Sequence, residues 1–190
     1  MEATVKAGAI ASGTLSYTTS PVHTQKKYVE MVKELKEMGA STICIKDMAG
    51  IMGPKEAYDL VSAIKDAAPE LPIDLHTHST TGLAFMTYLK AVEAGVDIID
   101  TAISPFSGGT SQPATETLAY ALRQLGYAVD LDDKCTKKMA DYFKVVRDDY
   151  IKDGTLMPKS MATDTQCLTY QIPGGMLSNL LSQLKQVNAL

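Results

Sequence analysis

Stretches with apolar residues at helical spacing alternate along this chain with shorter apolar runs of strand length. A first short helix is predicted at 3–6. Apolar residues at helical spacing then predict helices at 24–38, after Pro54, at 83–94 and from Pro113 to about Gly126. Strand-like runs lie at 9–17, 42–47, 73–77 and 97–103. Strands that recur about every 30 residues with a helix between them predict βα units around a parallel sheet.

The alternation within the strands distinguishes between two such folds. In the second and third strands, one face carries only polar or thiol side chains: Cys44, Lys46, Asp74, His76 and His78. A doubly wound sheet is covered by helices on both faces and needs strands that are almost continuously apolar. Strands with one polar face suit a barrel that holds its chemistry at the carboxyl end of the strands. We therefore expect an α/β fold of the TIM (β/α)8 barrel type.

The pattern supplies about the last four βα units of such a barrel, whereas closure needs eight strands. We expect barrel units over 1–127 and a helical extension over 128–190. The extension contains an amphipathic helix at about 136–150, and Gly174-Gly175 predicts a turn into a final helix. Four residues of the amphipathic helix are expected to face inward, namely Met139, Tyr142, Phe143 and Val146.

Two histidines end the third strand. His76 and His78 are two residues apart, so they point to the same side, about 7 Å apart along the strand. Their imidazoles can converge on one metal ion at the end of the strands where barrels hold their active sites. A structural polar pair is the alternative. The remaining histidine, His23, lies in a loop at a helix entry.

Lys46 lies on the same face, one strand before the histidines. It either pairs with a neighbouring carboxylate such as Asp74, or it serves the metal site. A cationic lysine would be repelled by a metal ion, whereas a lysine that has reacted with carbon dioxide offers an anionic oxygen ligand. Amidohydrolases also combine two histidines with a carboxylated lysine, but there the histidine pair precedes the lysine, which argues against that superfamily.

Composition excludes several other classes. The net charge is −4 with scattered basic residues, which does not indicate nucleic-acid binding. No apolar run approaches the roughly 18–20 residues that span a membrane, and the first residues lack the apolar segment of a signal peptide. The three cysteines, Cys44, Cys135 and Cys167, show no paired spacing that would indicate disulfides. We expect a cytoplasmic protein without a membrane segment.

Three motifs resemble one family in the same order along the chain. They are KDMAG at 46–50, DLHTHSTTG at 74–82 and GTSQP at 109–113, and the segments 16–24 and 171–179 also look like this family. The chain thus resembles the carboxyltransferase domain of biotin-dependent enzymes: pyruvate carboxylase or its carboxyltransferase subunit, the oxaloacetate decarboxylase alpha subunit, and transcarboxylase.

The resemblance implies metal-dependent transfer of a carboxyl group between carboxybiotin and pyruvate or oxaloacetate. Lys46 would be a carboxylated lysine that binds the metal, with His76 and His78 as the other ligands and zinc, cobalt or manganese as the ion. Thr110 matches the threonine that passes a proton between the biotin nitrogen and the pyruvate methyl carbon. Biotin would arrive on a separate carrier domain or subunit.

Other parts of the family's pattern are not found. The aspartate ligand of the first barrel strand and the arginine and glutamine that hold the substrate would lie in the missing half of the barrel. A biotin-acceptor motif and an ATP-dependent module are also not seen. We therefore expect the chain to be inactive alone and to pair with the N-terminal barrel half or with a second copy, as a homo-oligomer. The direction of the reaction and the metal stay open.

Two alternatives remain. Claisen-type metal-dependent lyases and synthases of the isopropylmalate synthase type also place two histidines on a late barrel strand, but they lack the motifs at 46–47 and 110–113. A non-catalytic alternative is an assembly fragment whose unpaired sheet edges bind a complementary chain.

Overall fold

The computed structural model describes residues 1–173, 176, 179–180 and 183–184. Strands and helices alternate from the first residues onward, and the last three helices follow one another without a strand between them. The strands are β1 (Ser12–Ser16), β2 (Thr42–Asp47), β3 (Ile73–Thr77) and β4 (Ile98–Ile99). The α-helices are α1 (Glu2–Lys6), α2 (Gln25–Glu37), α3 (Pro54–Ala67), α4 (Ala84–Glu93), α5 (Thr115–Gln124), α6 (Asp133–Lys152) and α7 (Cys167–Tyr170). Short 3-10 helices lie at Ser104–Phe106 and Pro158–Met161.

The four strands form one parallel sheet in the order β1-β2-β3-β4. Three of the four predicted strands are confirmed, β2 and β3 at the predicted bounds. The fourth, predicted at 97–103, has only two paired residues. The amide of Asp100 still donates to Leu75 of β3, but the amide of Ala102 donates to the carbonyl of Pro113. The chain therefore leaves the sheet after residue 100 and pairs with the segment before α5.

That pairing also moves the start of α5. The sequence predicts that Pro113 opens this helix, but Thr115 donates its amide to the Ala102 carbonyl and Ala114 is extended. The helix begins at Thr115 as a result. The predicted starts of α2 and α3 are confirmed to within a residue: the Thr24 side chain caps α2 by accepting the amide of Lys27, and Pro54 occupies the first turn of α3.

The predicted difference between the two sheet faces is confirmed. Ile43, Ile45 and Leu75 are fully buried and pack with residues of α2, α3 and α4 such as Val32 and Val61. The other face of β2 and β3 is half-buried throughout. Burial of each of these aliphatic side chains contributes about 1.5–3 kcal/mol, so the helical layer holds the sheet while its polar face stays available.

The helical extension departs from its prediction. The helix α6 is longer than expected, because Asp132 caps it by accepting the amides of Lys134 and Cys135. The prediction that Met139 and Tyr142 face inward is wrong: both are exposed. Within the described residues α6 packs mainly on the 3-10 helix at Ser104–Phe106, which reaches Phe143 and leaves most of the apolar stripe uncovered. The domain division after residue 127 stays a prediction.

The segment after α6 runs across the loops at the carboxyl end of the sheet. The carbonyl of Ser160 accepts the amide of Thr110, and the amide of Asp164 donates to the carbonyl of Thr80. Further along, the side chain of Gln171 bonds to the two threonines that follow β1, Thr18 and Thr19. This segment therefore covers the loops of three strands.

The turn predicted at Gly174-Gly175, and with it part of the motif at 171–179, lies outside the described residues. In the part of the chain that the structure describes, no helix is long and apolar enough to cross a membrane.

Candidate metal centre

A row of polar residues crosses the sheet near the carboxyl end of the strands. The register pairs Ser16 with Lys46 and Lys46 with His76. Neighbouring strands lie about 4.8 Å apart, so Lys46 and His76 are adjacent on the same face of the sheet. A second polar row lies two residues earlier along each strand and consists of Thr14, Cys44 and Asp74.

The two histidine rings converge through their Nε2 atoms, which lie 3.2 Å apart. The other nitrogen of each ring is held by an acceptor. His76 Nδ1 is 2.7 Å from Oδ2 of Asp100, and His78 Nδ1 is 2.5 Å from the carbonyl oxygen of Thr110. A carboxylate and a carbonyl can only accept, so each Nδ1 carries a proton. In its neutral form, each ring then presents the lone pair of Nε2 towards the other ring.

This arrangement fits a divalent cation. Nitrogen ligands bind zinc at about 2.0–2.1 Å, which places two ligands of a tetrahedral site about 3.3 Å apart. The observed 3.2 Å agrees with that spacing. Metal-binding histidines typically donate their second nitrogen to a carboxylate or a backbone carbonyl, as Asp100 and Thr110 provide here. The predicted pairing of His76 and His78 on one site is thus consistent with the geometry.

The described residues do not provide a complete set of metal ligands from histidine, cysteine, aspartate and glutamate side chains alone. Among them, no three His, Cys, Asp or Glu side chains converge on one point. The histidine pair would therefore need further ligands from another source. Lys46 is the adjacent candidate, since its side chain is half-buried and lies on the same face.

The alternative role for Lys46, an ion pair with Asp74, is wrong for the described structure. No carboxylate of the described residues lies within 4.0 Å of the Lys46 amine. Asp74 instead contacts Cys44. Burial is the larger cause that raises the pKa of Asp74, and the negative charge of Asp100 raises it further. Burial and the nearby Asp74 carboxylate raise the pKa of the Cys44 thiol to about 12.

The environment of His78 favours its neutral form. Burial lowers the pKa of His78 and outweighs the hydrogen bond to the Thr110 carbonyl, which raises it. A neutral imidazole is the form that binds a metal ion.

The motif at 46–50 also builds the support beneath His78. Asp47 is fully buried on the opposite face from Lys46, where its carboxylate accepts the amides of Ile51 and Met52 at 3.1 and 2.8 Å. It also accepts the hydroxyl of Thr77 at 2.7 Å. Gly50 has a φ of +66°, and a Cβ at this position would collide with the carbonyl oxygen of His78. The loop after β2 therefore packs directly against the backbone of His78.

Two residues of this site were not identified from the sequence. Asp100 follows the fourth strand, and a polar residue at the carboxyl end of a barrel strand is the signal that could have identified it. Gln112 lies inside the GTSQP motif; its Nε2 is 3.0 Å from Nε2 of His76 and 3.4 Å from Nε2 of His78. Thr110 is near the site as expected, but the contact that the structure shows is made by its carbonyl. The proton relay by its hydroxyl stays a prediction.

A family model described as HMGL-like matches residues 7–143. The chain belongs to this family. This membership confirms the predicted barrel fold. The four parallel strands and their helices form part of a carboxyltransferase barrel.

Curated relatives carry the names of carboxylases and a carboxyltransferase, so they are enzymes. The chain is 52% identical over 185 residues to a pyruvate carboxylase subunit of Methanocaldococcus jannaschii, and the match covers 97% of this chain and 32% of the relative. It is 45% identical over 190 residues to the methylmalonyl-CoA carboxyltransferase 5S subunit of Propionibacterium freudenreichii subsp. shermanii, covering 100% of this chain and 37% of the relative. The predicted resemblance to the carboxyltransferase family is confirmed.

A solved structure shows the same similarity. The carboxyl transferase domain of Rhizobium etli pyruvate carboxylase with pyruvate and biocytin superposes with a TM-score of 0.86 at 31% identity. The match covers 99% of this chain and 32% of that one. The chain thus spans about a third of the length of these relatives.

Proposed function

We propose that this chain forms part of a carboxyltransferase barrel that moves a carboxyl group between carboxybiotin and pyruvate or oxaloacetate. The observation that supports it most is the histidine pair, whose Nε2 atoms meet at 3.2 Å beside Lys46 at the carboxyl end of the sheet. The family description alone is also compatible with a claisen-type lyase or synthase. The named relatives are carboxylases and a carboxyltransferase, which favours carboxyl transfer.

The metal ligands in this proposal are His76, His78 and a carboxylated Lys46, with zinc, cobalt or manganese as the ion. Such an ion supplies positive charge that stabilises the enolate of a 2-oxo acid. The remaining ligand and the groups that hold the substrate would come from outside this chain. Biotin would be delivered by a carrier domain or subunit, as the biocytin in the solved relative suggests.

The protein's own groups supply orientation and proton transfer. Asp100 and the Thr110 carbonyl hold each imidazole with its lone pair towards the polar face. The Thr110 hydroxyl is proposed to carry a proton between the biotin nitrogen and the methyl carbon of pyruvate, since a hydroxyl can donate and accept without a net change of charge.

The test compares the chain assembled with its complementary barrel segment and the same assembly with the double substitution His76→Ala/His78→Ala. We expect near-stoichiometric zinc, cobalt or manganese in the wild type by plasma mass spectrometry, and its loss in the variant. Biotin-dependent oxaloacetate decarboxylation should fall by at least about 100-fold, because each ligand or its support is worth at least a factor of ten to a hundred.

His23→Ala is the matched control, since His23 is exposed, bonds to Ser20 and lies beside the ring of Tyr28. It should keep both metal and activity. Full activity of the double variant would contradict the proposal, as would a metal content that the two substitutions do not change.

A further inference from the structure

A buried tyrosine hydroxyl replaces one backbone hydrogen bond where β3 and β4 separate. In a parallel ladder, every second residue of one strand bonds through its amide and its carbonyl to two residues of the neighbouring strand. The amide of Asp100 donates to the carbonyl of Leu75 at 3.1 Å, so the next ladder bond would join the Thr77 amide to the Asp100 carbonyl. The Thr77 amide instead donates to the hydroxyl of Tyr88 at 3.1 Å, and this hydroxyl donates to the Asp100 carbonyl. The hydroxyl therefore lies between the two groups that would otherwise bond directly.

This insertion holds the backbone of Asp100 at a defined distance from β3. The paired part of β4 ends at Ile99, and after Asp100 the chain leaves the sheet to pair with the segment before α5. The Asp100 backbone is thus held on β3 by its own amide and, through Tyr88, by its carbonyl. Tyr88 belongs to α4 and is fully buried in the core, so water does not compete for these bonds.

We propose that Tyr88 is a positioning residue that sets the distance between Asp100 and β3, and through Asp100 the orientation of the His76 ring. The side chain of Asp100 meets Nδ1 of His76 at 2.7 Å, so a shift of the Asp100 backbone moves the carboxylate that holds this ring. Without the hydroxyl, Asp100 would either close directly onto Thr77 or lose its carbonyl partner. The bonds of Tyr88 join a hydroxyl to backbone groups and are the same in either protonation state of the histidines. This inference rests on the proposed metal centre.

Tyr28 offers a matched comparison in the βα unit that begins with β1. It is also buried, and its hydroxyl accepts the amide of Thr18 at 2.9 Å and donates to the carbonyl of the same residue at 3.0 Å. Replacement of either tyrosine by phenylalanine removes one oxygen atom and leaves one amide and one carbonyl without that partner. The two substitutions should therefore lower stability to a similar extent, but only Tyr88→Phe changes the support of Asp100.

The experiment is a Co²⁺ titration, against a competing chelator, of the chain assembled with its complementary barrel segment. Tyr88→Phe is expected to bind Co²⁺ about tenfold more weakly than the wild type, the lower end of the effect typical of groups that orient a metal-binding histidine. Tyr28→Phe should bind Co²⁺ as the wild type does. Urea unfolding of the same proteins measures stability separately, and the unfolding midpoint should fall to a similar extent in both variants.

A double-mutant comparison shows whether the effect passes through Asp100. Asp100→Ala should weaken Co²⁺ binding by at least about tenfold. Addition of Tyr88→Phe to Asp100→Ala should then change the affinity by less than about twofold, because the carboxylate that Tyr88 positions is already absent. Two independent roles would instead give two losses that multiply.

Wild-type affinity in Tyr88→Phe would overturn this inference and leave the proposed function standing, as would two losses that multiply in the double variant. Equal weakening of Co²⁺ binding by Tyr88→Phe and Tyr28→Phe, or a failure of Tyr88→Phe alone to fold, would also overturn it, since either result assigns Tyr88 a role in stability only. A wild-type assembly that is folded and takes up no cobalt, zinc or manganese would overturn both the inference and the proposed function.

Discussion

At the scale of single residues, the chemistry of the site depends on which nitrogen of each histidine faces the polar side of the sheet. Asp100 and the carbonyl of Thr110 determine this by accepting from Nδ1. The sequence identifies His76 and His78 because strand alternation is local. It does not identify their partners, because Asp100 and Thr110 come from the end of the next strand and from a later loop.

The shifted pKa of His78 predicts how stability depends on pH in the metal-free protein. Burial lowers this pKa, so the unfolded chain binds the proton more readily than the folded one. The stabilising contribution of neutral His78 is complete above the ordinary histidine pKa of about 6.5 and is lost as the pH falls through the lower folded value. In the presence of a chelator, His78→Asn should therefore show a smaller loss of unfolding free energy than the wild type between about pH 7 and about pH 5.

The measurement is urea unfolding at several pH values. Asparagine carries its amide nitrogen at the same point along the side chain as Nδ1, so it can keep the hydrogen bond to Thr110. His23→Asn, at an exposed position, is the matched control and should keep the wild-type dependence. A His78→Asn profile parallel to that of the wild type would show that His78 does not carry this effect.

At the scale of helices and strands, local pattern predicts what is packed within one βα unit and fails where distant segments intervene. The bounds of β2 and β3 are as predicted, since their alternation matches one buried and one polar face. The end of β4 differs from the prediction, because Ala102 pairs with Ala114, just before α5. The predicted inward position of Met139 and Tyr142 on α6 is also wrong, because an amphipathic pattern indicates an apolar side without showing what covers it.

The loop after β2 offers a prediction at this scale. Gly50 and Gly154 both have a positive φ, but a Cβ at Gly154 has open space around it, whereas one at Gly50 meets the His78 backbone. Gly154→Ala should therefore cost only the conformational penalty of about 1–2 kcal/mol in unfolding free energy. Gly50→Ala should cost at least about 1 kcal/mol more, because the loop or the histidine strand has to move.

Chemical unfolding of the two variants provides the comparison, and metal content provides a second reading. We expect Gly50→Ala also to lose bound metal, since His78 follows the displaced backbone, while Gly154→Ala keeps it. Equal destabilisation by the two substitutions would mean that contact between the loop and His78 is not tight in solution.

At the scale of the complete fold, the described residues supply four strands of a barrel that closes with eight. The polar rows on the sheet therefore have no opposing wall within this part of the chain. The solved relative matches over about a third of its length, which is consistent with the remaining wall being formed by other segments.

We predict that the 190-residue chain by itself does not decarboxylate oxaloacetate. Half of the barrel wall cannot exclude water or hold the substrate, and the histidine pair lacks further ligands among the described residues. Release of pyruvate, measured with a coupled dehydrogenase in the presence of biotin, should equal that of buffer. Addition of the complementary barrel segment should restore activity, and Lys46→Ala should prevent the restoration. Activity of the chain alone would contradict the prediction.

Local sequence was enough to establish the order of βα units, the polar face of the sheet and the placement of Lys46, His76 and His78 on that face. These features depend on periods of two and 3.6 residues, which operate over short distances along the chain. The folded chain was needed to show that Asp100 and Gln112 belong to the site and that α6 leaves its apolar side uncovered. Those contacts join residues 24 to 36 positions apart or lie between whole elements, and no local period encodes which loops meet.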